Sequence, residues 1–121
     1  MVKTITHTSE QVTITLCVTE LGNDLNVSLY GGDKPHIGAV ALAVPHESLA
    51  DANQLSATVS TLVVMRHKEE ALAKDVAYQL SKTLNKVVSV SCGIHIDNIK
   101  PEQFTLISEL VSKCINEYLT K

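Results

Sequence analysis

Hydrophobic and polar residues alternate through residues 11–20: Val12, Ile14, Leu16 and Val18 point one way, Thr13, Thr15, Cys17 and Thr19 the other. A period of two with one apolar side marks a strand with one buried face. Leu21-Gly22-Asn23-Asp24 carries turn chemistry. Residues 25–30 then alternate again through Leu25, Val27 and Leu29, so the pair reads as a β-hairpin. Two glycines and a proline make 31–35 a loop. A third strand follows over 36–44, with Val40, Leu42 and Val44 on one side and Ala39, Ala41 and Ala43 on the other. The alanine side predicts close packing by a helix or a second sheet.

Residues 45–54 read as an irregular connection, and 56–65 as a Thr- and Val-rich fourth strand. A helix starts within Arg66-His67-Lys68-Glu69-Glu70, and Leu72, Val76, Leu80 and Leu84 give it one apolar stripe. Residues 87–96 form a fifth strand, with Val88, Val90, Cys92, Ile94 and Ile96 on one side. Pro101 suits the first turn of a last helix, where no N–H is needed. Its broad stripe runs from Phe104 through Ile107, Leu110, Val111, Cys114 and Ile115 to Leu119. The order β-β-β-β-α-β-α predicts an α+β, two-layer fold with a mostly antiparallel sheet and two helices packed on one face. The other face carries Thr, Ser and Cys, either solvated or covered by a partner subunit. A homodimer is the plain expectation, since two-fold dimers are the commonest oligomers.

Composition narrows the function classes. The chain has 121 residues, the length of one domain, and a formal charge of −3. Ten Lys+Arg stand against thirteen Asp+Glu, with one Phe, three Tyr and no Trp. Nucleic-acid binding draws on excess positive charge and stacking aromatics, so no nucleic-acid partner is expected. No run of about eighteen apolar residues offers a membrane span, and residues 1–10 lack the apolar core of a secretory signal. Cys17, Cys92 and Cys114 are widely spaced, which reads as free thiols in a reducing cytoplasm.

Three stretches carry candidate chemistry. In Gly31-Gly32-Asp33-Lys34-Pro35-His36-Ile37-Gly38, glycines permit close backbone approach to a ligand and successive N–H groups can cradle an anion. Gly32, Lys34, His36 and Gly38 are its candidate ligand-binding residues; the plainer reading is a hairpin loop. In Arg66-His67-Lys68, basic residues sit at a helix N-terminus, which itself favours anions. That placement points to an anionic partner such as a phosphate, against the plain reading of a solvated helix start. The third stretch, residues 89–98, contributes Cys92, Gly93, His95 and Asp97. Gly93 marks a bulge or a close backbone approach. Without a bulge, Cys92 and His95 face opposite ways, which weakens a Cys–His nucleophile pairing. No metal-ligand spacing supports a metal site, and no catalytic constellation is assigned.

The same segments, Gly32 to Val40, Arg66 to Glu69 and Ser91 to Ile99, resemble the LpdD-like prenylated-flavin chaperones, a bacterial family similar in fold to proteasome assembly chaperones. The resemblance spans 1–121 as one domain. It implies a non-catalytic accessory protein that delivers or retains prenylated FMN, bound transiently, for a UbiD-type hydroxyarylic acid decarboxylase. Lys34, Arg66 and Lys68 would then contact the phosphate. Tyr30 is the aromatic expected nearest a candidate site, so the site is expected to be shallow or shared between subunits. Two alternatives remain open: a small lyase or isomerase with His95 as acid/base, and a pure protein-assembly module. Co-location of His36, Arg66 and His95 tests the single-site reading.

Overall fold

Two tight turns set up the first half of the chain. Strand β2 (Val12–Leu21) turns through Gly22 and Asn23 into β3 (Asp24–Gly32), and Leu21 pairs with Asp24. Gly22 takes φ +61°, which glycine adopts without a Cβ penalty. Ahead of this hairpin lies β1 (Val2–Ser9), joined to β2 by the two-residue turn Glu10-Gln11. This N-terminal strand adds to the expected order.

The computed structural model describes residues 1–64 and 69–120. The remaining elements are β4 (Ala39–Glu47), β5 (Leu55–Val63), α1 (Glu69–Leu84), β6 (Val88–His95) and α2 (Pro101–Leu119). The architecture is α+β, a six-stranded sheet in the order β1-β2-β3-β6-β4-β5 under a layer of two helices. Neighbouring strands are antiparallel except for the parallel pair β3–β6. Strand β4 reaches Glu47 and so takes in Pro45, first read as part of a loop. Its ladder to β6 stops at Ala43, so Pro45 faces a neighbour on one side only, a position where its missing N–H is tolerated.

Both helices lie on one face. Helix α1 packs on β4, β5 and β6, and α2 on β1 and β2. Ala39, Ala41 and Ala43 are fully buried under α1, opposite its own buried Ala73, Val76, Ala77 and Leu80. The short side chains let the helix axis approach β4 closely. Ile14, Leu16, Val18, Val27, Leu29, Val88 and Val90 fill the rest of the core. No helix among the described residues is long and apolar enough to cross a membrane.

Sheet directions decide where the helices begin. Strands β5 and β6 both run antiparallel to β4, so they run the same way, and a helix follows each. Both N-termini therefore lie at the same end of the sheet, beyond the C-terminal end of β6. Residue Asn85, at φ +56°, closes α1 with its N–H donating to the Ser81 carbonyl (2.8 Å). At the start of α2, Gln103 Oε1 accepts from the Lys100 N–H (2.8 Å) and Pro101 occupies the first turn.

Candidate functional site

A strand crossing builds the site. Because β6 sits between β3 and β4, the 33–38 segment must pass over the C-terminal end of β6. It is anchored there by backbone bonds. Asp33 N–H donates to the His95 carbonyl at 2.6 Å, and Gly38 N–H to the Cys92 carbonyl at 2.8 Å. Gly93 lies directly beneath this crossing, where a Cβ would run into the His36 carbonyl. Gly38 has the same role toward the Glu69 carboxyl, whose Cδ would stand 2.9 Å from an added Cβ. Gly93 thus makes room for a backbone, and Gly38 for the side chains of Glu69 and His36. The β3–β6 register continues unbroken through Gly93, so there is no bulge.

Side chains complete the anchorage. His36 Nε2 lies 3.1 Å from Glu69 Oε1, and its Nδ1 is 3.0 Å from the Lys34 carbonyl oxygen. The rings of His36 and His95 meet edge to face, centroids 6.5 Å apart. His95 Nε2 donates to Asp97 Oδ1 (3.0 Å), and Lys34 Nζ stands 3.5 Å from the same oxygen. The hydrogen bond from His95, with the Lys34 charge second, holds the Asp97 carboxyl below its usual range. Asp97 N–H donates to Asp33 Oδ2 at 2.9 Å, closing the link from loop to strand end.

Beside this cluster, on the helix face, lies a cleft of about 510 Å³. One wall is the start of α1, with Glu69, Ala71, Leu72 and Asp75; the other is the start of α2, with Phe104, Ile107 and Ser108. Ile94, His95, Ile96 and Ile99 form the floor and rim. Its volume lies within the usual range of small-molecule sites. Apolar side chains and one aromatic ring suit a flat ring system. Two helix N-termini at one end favour an anionic group, whereas Glu69 and Asp75 oppose one along the α1 wall.

The structure brings together Gly32, Lys34, His36, Gly38, Gly93, His95 and Asp97 from the first and third stretches. Arg66, His67 and Lys68 lie outside the described residues. The flanking Val64 and Glu69 both meet the crossing segment, Val64 by an N–H bond to the Gly38 carbonyl (2.8 Å). Cys92 is fully buried and faces the core, as strand parity predicts. Burial first, and Glu69 second, push its thiol up to about 12, so it is neither nucleophile nor surface contact. All three cysteines are free; Cys114 is buried and Cys17 only half-buried on the outer sheet face.

Tyr30 stands beside the crossing segment, in register with Gly93, but it does not line the cleft. It faces outward from β3, away from the cleft, while Phe104 lines it at 38% exposure. By spacing alone Phe104 belongs to the core stripe of α2. Its place one turn into the helix, beyond the sheet edge that buries Ile107 and Leu110, is the signal that sets it apart. Leu72, Asp75 and Ile99 were likewise missed as lining residues.

Known proteins share this architecture. A subunit of a crystallised chaperone complex for yeast 20S proteasome assembly superposes with a TM-score of 0.56 at 20% identity, over 98% of this chain and 96% of that one. At that identity the likeness speaks for the fold alone. No curated protein matches the sequence significantly. The sequence profile of the prenylated flavin chaperone LpdD-like domain matches residues 8–121. With the crossing segment and the β6 end forming one cluster inside that match, the chain belongs to the prenylated flavin chaperone LpdD-like family.

Proposed function

We propose that this protein is a non-catalytic carrier of prenylated FMN. It holds the flavin in the cleft between the two helix N-termini and passes it to a UbiD-type hydroxyarylic acid decarboxylase. The observation that carries the reading is the cleft: about 510 Å³, mostly apolar in its lining, with one aromatic wall, in a chain of this family. Phe104, Ile94, Ile96 and Ile107 would flank the ring system. The phosphate end would lie toward Lys34 and His95, with Arg66, His67 and Lys68 joining it as the sequence suggests. Prenylated FMN performs its chemistry in the client enzyme; these residues bind, orient and shield it. The protein would work in the cytoplasm as a homodimer.

A second reading rests on the His95–Asp97 pair at the cleft rim. An ionised Asp97 accepts only, so His95 Nε2 carries the proton and Nδ1 is left as an acid/base toward a ligand. Titration with FMN and prenylated FMN, followed by flavin fluorescence, separates the two. A carrier shows saturable quenching that Phe104→Ala weakens about ten-fold, in line with the roughly 0.5–1.5 kcal/mol of an aromatic contact plus its lost area. It also speeds recovery of activity by the cofactor-free decarboxylase. No response to either flavin overturns the carrier reading. Turnover of a small substrate by the protein alone, abolished by His95→Ala with the fold intact, would establish the enzyme instead.

A further inference from the structure

A second pocket lies at the far end of the sheet from the cleft. It encloses about 300 Å³ beside the N-terminal end of β6, where both helices finish. Val18 of β2, Leu84 of α1 and Leu119 of α2 give it an apolar lining. Lys3 of β1 and Lys86, just past α1, bring two ammonium groups to the same space, and both side chains are half-buried. Glu20 and Tyr118 add the other polar side chains.

The two lysines lack the partners such positions usually supply. Among the described residues neither forms an ion pair, although Glu20 lines the same pocket. Lys3 Nζ lies 5.8 Å from the centroid of the Tyr118 ring, a cation–π contact that takes up none of its N–H donors. Helix-end carbonyls attract cations, but here the chain serves them itself. The Ser81 carbonyl accepts from the Asn85 N–H (2.8 Å) and the Lys86 N–H (3.3 Å). At the end of α2, the Asn116 carbonyl accepts from the Thr120 N–H (3.1 Å) and hydroxyl (2.9 Å), and the Glu117 carbonyl from the same hydroxyl (3.3 Å). Partly desolvated charges without acceptors are costly, so two of them beside one apolar lining call for an anion.

We propose that this pocket binds a small organic monocarboxylate, its anionic end between Lys3 and Lys86 and its apolar body on Leu84, Leu119 and Val18. Burial first, and Glu20 second, push the Tyr118 hydroxyl up, so it keeps its proton and serves as a third donor. Glu20 opposes a second negative charge, which favours one carboxylate over two. The volume lies at the lower limit of small-molecule sites, which suits a single ring or a short chain.

Titration of ¹⁵N-labelled protein with benzoate, followed by amide chemical shifts, tests this. Saturable shifts are expected at Leu84, Lys86 and Leu119, with a dissociation constant of about 1 mM or tighter. Lys86→Gln should weaken binding about ten-fold, the effect of losing one charge-assisted bond. Lys3→Gln repeats the test should Lys86→Gln fail to fold. Benzyl alcohol has the ring without the charge and inorganic phosphate the charge without the ring, so each should bind at least about ten-fold more weakly. No saturation by about 10 mM benzoate overturns the site. So does benzyl alcohol binding as tightly as benzoate, since the lysines would then read nothing. Native affinity in a folded Lys86→Gln or Lys3→Gln chain, or shifts confined to Ile94 and Phe104 in the cleft, overturns it equally.

Discussion

Two neighbouring residues on β6, Cys92 and Gly93, show how strand parity divides labour. Gly93 faces outward beneath the crossing segment, where any side chain would displace the His36 backbone. Cys92 faces inward, fully buried. Its thiol ordinarily titrates at 9.0 and is raised to about 12 in the fold. The folded state therefore holds the proton more tightly. Its contribution is constant below pH 9.0 and is lost as pH rises from there to about 12, by roughly 1.4 kcal/mol per pH unit. Urea denaturation across that range should show an alkaline loss of stability that Cys92→Ala reduces, the remainder coming from Cys114 and Tyr118, which burial also raises. At pH 8, mass spectrometry after alkylation should find Cys17 modified and Cys92 intact; equal labelling would contradict the burial. The opposed orientation of Cys92 and His95 was legible from alternation alone. The exposure of Phe104 was not, because a helical stripe reports which side faces inward without reporting where the sheet beneath it ends.

At the scale of elements, the alanine ladder is the feature most fully legible in sequence. Ala39, Ala41 and Ala43 predicted a close neighbour, and α1 is that neighbour. Ala41→Leu would insert three carbons into a contact with no free volume, at a cost of about 1–3 kcal/mol. Thermal unfolding should register it as a drop of several degrees, and an unchanged midpoint would mean that the helix stands off from the strand. Strand β1 was hidden for two physical reasons. Ile5 is its one buried apolar residue, so alternation is faint. Its turn uses Glu10 at φ +48° and Gln11 at φ +67°, where hairpins of this geometry favour Asn-Gly. The fold supplies this strained turn through the eight-pair β1–β2 ladder, and local sequence does not announce it. The His36–Glu69 contact was hidden too, since it depends on β6 being inserted between β3 and β4.

Strand order belongs to the whole molecule, and it determines the site. Inserting β6 between β3 and β4 forces the 33–38 segment across the sheet end and brings both helix N-termini there. Candidate residues from segments some sixty positions apart, such as Lys34 and Asp97, become ion-paired neighbours. One face of the molecule then carries the cleft and the other the bare sheet. A site shared across a two-fold axis would bind one flavin per dimer and disappear on dissociation. On the carrier reading proposed above, a cleft lined wholly by one chain would bind one flavin per chain, with a hyperbolic isotherm. Calorimetric titration with prenylated FMN should therefore give a stoichiometry near one per chain. A stoichiometry of one per two chains would move the flavin from the helix-face cleft to a site shared between two chains.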